Sequence, residues 1–244
     1  MTSTAIAGLV GELDARLAGL AADESHRAPF LATYRRTTEA VGTALDGGFF
    51  LDGAWVARWT AVFGRYYLDA LDADRLGSTP TRPWRLAFSV APDVHPLGHL
   101  LVAMNAHINY DLPQAMLDVI GPADFDDAEL LAARVRDHDR IDEILSGRVA
   151  AEDQALGGAR RLVDRVLGPA NRYGSRRFLA EARGKVWENV GALHEARLRG
   201  PGDYRTRIGE LEVLASAKIA EILRPGPVLL RLATAGFGVR LPPL

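Results

Sequence analysis

The run Leu97–Leu112, LGHLLVAMNAHINYDL, is the most apolar long stretch of the chain, yet it carries His99, Asn105, His107, Asn109 and Asp111. It is shorter than the ~20 residues a membrane span needs. Its apolar positions fit a helical repeat, and a helix this apolar is buried on most faces. Desolvating a polar group without a partner costs roughly 1–3 kcal/mol, so the polar residues of a buried helix need partners or a function. His95 and Pro96 open the helix, because proline at the first helical position forfeits no hydrogen bond, and Pro113 is predicted to kink or end it. At about 100° per residue, His95, His99, Val102, Ala106 and Asn109 share one side with Asn105 at its edge. His107 and Asp111 then form a separate polar stripe, four residues apart and within hydrogen-bonding reach of each other.

Outward from this helix, most of the chain repeats with helical period and little alternates. A first helix is predicted from about Thr4 to Ala22, and a second from Pro29 to the Gly47–Gly48 stop. A third, capped by Asp52, runs through about Asp74, and a short one from Pro83 to Val90. Beyond the central helix, one spans roughly Asp127 to Leu145 with Asp126 as its cap, and another about Ala159 to Leu167. A long one capped by Ser175 runs from Arg176 to Arg199, and one capped by Asp203 runs through Leu223. Pro225, Pro227, Pro242 and Pro243 leave a short helix and an extended tail from about residue 225. The expected architecture is all-α, a single-domain helical bundle over residues 1–244 around a buried central helix. Gly77 to Arg82, Gly121 to Asp127 and Gly168 to Ser175 are the expected loops over a pocket mouth.

The 244 residues are 48% hydrophobic and 25% charged, a composition able to bury a sizeable core. Lys plus Arg total 29 against 31 for Asp plus Glu, a formal net charge of −2, so no basic excess points to nucleic acid. The absence of cysteine removes disulfides, thiolate metal sites and a cysteine nucleophile. Glu12 and Asp14 interrupt the apolar residues of the first helix before a signal-peptide core could form, so a cytoplasmic location is the expectation. Phosphate loops with Gly-Lys-Ser/Thr, dinucleotide fingerprints and nucleophile elbows are all missing.

The segment His99–Pro113, with His99-Leu100-Leu101, Asn105-Ala106-His107-Ile108-Asn109 and Asp111-Leu112, resembles the signature of a family of helical bacterial proteins common in actinobacteria and classed as a domain of unknown function. The resemblance implies one helical domain over most of the chain, and it transfers no reaction. A weaker similarity, limited to His and Asp on a buried helix, is to the all-α zinc phospholipase C and nuclease family, whose metal-ligand spacing this chain does not match.

Two further helices carry polar groups on their apolar stripes. Leu131, Val135, His138, Asp142 and Leu145 align on one, with Asp137 and Asp139 toward the flanks. Arg183, Trp187, Val190, His194 and Leu198 align on the other. Trp55, Trp59, Phe63 and Tyr66 form an aromatic stripe on the third helix, able to wall an apolar cavity or simply to fill a core. His107 with Asp111 is the preferred acid/base pair, with His99, His138 and Asp142 completing a catalytic set. Asn105, Asn109, Arg183, Trp187 and His194 join the aromatic stripe as substrate-binding candidates. The expected function is cofactor-free acid/base chemistry on a small, largely apolar metabolite: cyclisation, isomerisation, or addition or elimination of water. Two alternatives remain open. One is a divalent-metal hydrolase using His99, His107, Asp111, His138 and Asp142 as ligands; the other is non-catalytic binding of an apolar ligand.

Overall fold

Helix boundaries in this chain are set by side-chain caps, prolines and two left-handed glycines. The computed structural model describes residues 2–155 and 181–243, with the side chains of residues 2, 3, 142 and 145–155 outside that description. The helices are α1 (Thr2–Ala18), α2 (Ala28–Asp46), α3 (Gly53–Arg75), α4 (Arg82–Phe88) and α5 (Pro96–Asn105). A π-helical segment (Ala106–Asp111) then runs into α6 (Leu112–Val119). They are followed by α7 (Ala128–Ala155), α8 (181–199), α9 (Pro201–Ile222) and α10 (Val228–Ala235), and no strand occurs among the described residues. The fold is all-α, as the sequence predicts.

Asp52 accepts the Trp55 amide at 2.9 Å, as its predicted cap role requires, and Pro29 lies in the first turn of α2. Gly48 (φ 66°) and Gly77 (φ 72°) supply the left-handed residues after α2 and α3. Four predicted boundaries need correction, the first being the end of α7, which runs to Ala155 rather than Leu145. The first helix stops at Ala18, and Ala22–Arg27 forms a 3-10 turn instead of extending it. Asp127, not Asp126, caps α7 by accepting the Leu130 amide at 2.9 Å. Helix α9 starts at Pro201 behind Gly200 (φ 136°), which places Asp203 inside the first turn rather than at the cap. The helix expected at Ala159–Leu167, the loop Gly168–Ser175 and the Ser175 cap lie outside the described residues.

Two cores flank the central helix. One gathers Leu31, Tyr67, Leu71, Trp84, Leu101 and Phe237, and the other gathers Trp55, Met116, Ile120, Val190, Leu193 and Leu211. Phe63 and Ile108 pack against both. Helix α1 closes on α3 where Gly64 leaves room for Leu9, since a Cβ at Gly64 would come within 2.5 Å of the leucine Cδ2.

After α10 the chain runs extended, and side chains take the place that a neighbouring strand would fill. Asn109 Nδ2 donates to the Phe237 carbonyl at 3.0 Å, and its Oδ1 accepts from the Val239 amide at 3.2 Å. Asn189 does the same two residues on, donating to the Val239 carbonyl (2.9 Å) and accepting from the Leu241 amide (2.8 Å). Arg207 donates to the Pro242 carbonyl at 2.6 Å. These bonds satisfy tail backbone groups that burial of Phe237, Val239 and Leu241 removes from water. Asn109→Ala, which strands two tail groups and the Asn105 Oδ1 bonded at 2.8 Å, is expected to cost about 2–4 kcal/mol in urea unfolding. It should also expose the tail amides to hydrogen exchange, and unchanged stability and protection would contradict this clamp.

Candidate functional site

The site begins with a proline. Pro113 has no amide proton and its ring would crowd the carbonyl four residues back, which strains a regular α-helix through Asn109. The helix neither stops nor breaks there. It widens to π geometry, the Leu112 amide reaching back five residues to the His107 carbonyl, while Gln114 Nε2 satisfies the Tyr110 carbonyl at 2.8 Å. His107 sits over Asp111, four residues on, with Nδ1 3.0 Å from Oδ2. The register shift also corrects the faces expected from uniform pitch. His99, His107 and Asp111 face the aromatic residues of α2, α3 and α4, whereas Asn105 and Asn109 turn to α9 and the tail.

His107 and Asp111 are 3% and 1% exposed. The imidazole stacks on Phe63 at 3.6 Å between centroids and 7° between planes, and it meets Tyr34 (4.7 Å) and Phe30 (5.8 Å) edge-on. Trp84 Nε1 donates to Asp111 Oδ2 at 2.8 Å, so that oxygen joins indole and imidazole. Burial holds His107 well below the usual histidine range. Burial also pushes Asp111 well above the usual carboxylate range, with the Trp84 bond pulling the other way. Both shifts have one cause, the cost of charge in an aromatic box. Each shift favours the uncharged form of its group, and the two groups are joined through the Nδ1···Oδ2 contact. His107 Nε2 and the Tyr34 hydroxyl are buried without a hydrogen-bond partner.

A cleft of about 510 Å³ reaches this pair from outside. Trp84 and Asp111 line it together with Val62, Tyr66, Ala70 and Pro80; of the loops expected over a pocket mouth, Gly77 to Arg82 contributes Thr79, Pro80 and Thr81, whereas no residue of Gly121 to Asp127, which forms a 3-10 turn, lines this cleft. Tyr66 donates its hydroxyl to Asp118 Oδ2 at 2.8 Å, and burial first, then Asp118, raise the phenol strongly. Asp111 lines the cleft and His107 stands behind it.

The remaining sequence candidates lie elsewhere. His99 pairs with His26 at 5.0 Å beside a small cavity bounded by Arg27, Phe30, Tyr67 and Phe88, and burial, then His26, lower its affinity for protons. His138 is fully buried between Trp59 (5.4 Å) and Trp187 (5.7 Å), both ring nitrogens lack a hydrogen-bond partner, and its carbonyl accepts from Arg183. Trp55 stacks on Trp59 at 5.4 Å under the Arg134 guanidinium, inside the second core. His194 stacks on Phe125 at 3.7 Å and takes a bond from Arg197 at 3.0 Å. Asn105 gives its amide to the Ala215 carbonyl at 2.8 Å. Among the described residues, no ring contact or hydrogen bond joins His99, His138 or His194 to His107, and no three His, Asp or Glu side chains gather as a metal-ligand set. The Asp142 side chain lies outside the described residues.

Two expected stripes are corrected. Asp137, placed on a flank by uniform pitch, is fully buried and accepts the Leu51 and Asp52 amides at 2.7 Å each, holding the bend that enters α3. The inward face of α7 is thus Arg134, Asp137, His138 and Ile141. Leu198, expected inward on α8, is 66% exposed. Trp84, Tyr34, Phe30 and Tyr67 are partners the sequence analysis missed. Only Pro83, opening a short helix beside a tryptophan, hinted at any of them.

His138 makes a prediction in acid. Burial, then the Arg183 guanidinium, push its imidazole far below the unfolded value near 6.5. A histidine depressed in the folded state contributes stability above its unfolded pKa and loses it as pH falls below that value. The wild type is therefore expected to weaken below about pH 6.5 by up to about 1.4 kcal/mol per pH unit from this group, and His138→Leu to flatten that slope. Parallel pH profiles of the two proteins in denaturant unfolding would contradict the assignment.

No curated protein and no solved structure matches the chain. A model described as "Family of unknown function (DUF5995)" matches residues 6–225, nearly the whole of the described bundle. By that match, the chain belongs to the DUF5995 family of unknown function.

Proposed function

We propose that the protein is an enzyme that moves a proton on a small, largely apolar metabolite bound in the cleft above Asp111. The reaction class is isomerisation, cyclisation, or addition or elimination of water. The observation that carries this reading is a buried, hydrogen-bonded His–Asp pair whose carboxyl group lines a solvent-reached cleft.

Asp111 is the catalytic residue in this scheme. Its carboxyl group gives a proton to the substrate, the resulting carboxylate keeps the Trp84 N–H bond, and a proton taken from a second substrate atom restores the acid. His107, out of reach of the cleft, is a positioning residue: its Nδ1 fixes which oxygen carries the proton and stores that proton when the carboxylate is needed. Val62, Ala70 and Pro80 give the substrate an apolar wall, and Tyr66 with Asp118 supplies a polar edge.

The test is a metabolite screen by mass spectrometry comparing wild type, Asp111→Asn and His107→Gln. For a substrate found with the wild type, Asp111→Asn is expected to lower kcat by at least ~100-fold, the range of general acid/base catalysis. His107→Gln should lower kcat less and shift the pH profile, with KM little changed. Near-normal turnover by Asp111→Asn would remove this site from the mechanism.

A further inference from the structure

The charge around the cleft is one-sided. Asp69, Asp111 and Asp118 line it against a single cation, Arg65, which is already engaged by Glu12 at 2.7 Å and lies 3.9 Å from Asp69. An independent observation sits at the floor. Asp111 is 1% exposed, both of its hydrogen-bond partners meet at Oδ2, and Oδ1 accepts no bond from any described residue. That oxygen is open to a donor entering the cleft. Tyr66 and Trp84 also line the cleft, the latter giving its indole N–H to Asp111.

We propose that the cleft selects a small organic cation, a protonated amine on an apolar body, whose ammonium group donates to Asp111 Oδ1. This substrate class rests on the reading of the cleft as the active site. A ligand carboxylate would meet three acidic side chains with no uncommitted cation, and a neutral apolar ligand would leave Oδ1 unpaired. A bare metal ion fits less well, because among the described residues the carboxylates do not converge as a ligand set. An ammonium with a carbon body spans what a metal ion cannot.

Benzylammonium, benzyl alcohol and phenylacetate provide probes of similar size and different charge. Binding to the ¹⁵N-labelled full chain at pH 7 and low salt is followed through the indole N–H of Trp84, one of four tryptophans in the sequence. Benzylammonium is expected to move that resonance and to bind about tenfold more tightly than benzyl alcohol, with phenylacetate weakest. Asp118→Asn should weaken benzylammonium about threefold or more relative to benzyl alcohol. Equal affinities, tighter binding of phenylacetate, or no response at Trp84 to benzylammonium would each overturn the proposal. The outcomes separate from the catalytic reading. Charge selection with full turnover in Asp111→Asn sinks the mechanism alone, and no charge selection with turnover dependent on Asp111 sinks the substrate class alone.

Discussion

Desolvation of the central helix governs this structure. Five polar side chains enter a space between two apolar cores, and each must find a partner there or cost roughly 1–3 kcal/mol. Asn105 and Asn109 meet that demand with backbone: the Ala215 carbonyl on α9 and the amide and carbonyl groups of the extended tail. The tail in turn owes its position to Asn109, Asn189, Glu181 and Arg207, since it has no neighbouring strand to bond. His107 and Asp111 meet the demand with each other and with Trp84. One helix thus does two jobs, bracing the C-terminal segment on one side and holding a hydrogen-bonded His–Asp pair on the other.

The π segment makes that division workable. A regular helix would leave Pro113 in conflict with the preceding turn. Widening the helix before the proline relieves that conflict, and Gln114 and Leu112 re-pair the carbonyls that change partner. Widened turns of this kind are frequent at functional sites because they re-aim side chains without breaking the helix. Here the re-aimed pair adjoins the 510 Å³ cleft, and the polar atoms that remain unpaired, His107 Nε2 and the Tyr34 hydroxyl, belong to the same aromatic box.

Much of this was legible in the sequence and the rest was not, for identifiable reasons. Helical periodicity, the Asp52 cap and the glycine stops are local signals, and they gave the all-α class and most boundaries. The His107–Asp111 bond follows from a spacing of four. The grouping of His99 with Asn109 failed because a constant rotation per residue does not hold through a π turn, while Asn105, at the edge of that face, turns to α9. Asp137 and Asn189 were overlooked because their partners, the entry to α3 and the tail, are distant in sequence. Trp84 and Asp118 carry no local mark of their role, since the cleft exists only once α3, α4 and α6 are assembled. Convergence of His138 and His194 on one centre was an inference from shared inward direction, and inward faces here serve two cores.

What distinguishes the pair from an ordinary buried contact is its protonation. An isolated surface histidine titrates near pH 6.5 and an isolated aspartate near 4, whereas burial in the aromatic box lowers the proton affinity of His107 and raises that of Asp111. ¹⁵N chemical shifts of the His107 ring, followed from pH 5 to 9, read that state directly. The account predicts an imidazole that stays neutral across the range with Nδ1 in a strong hydrogen bond, and a free titration near pH 6.5 would contradict it.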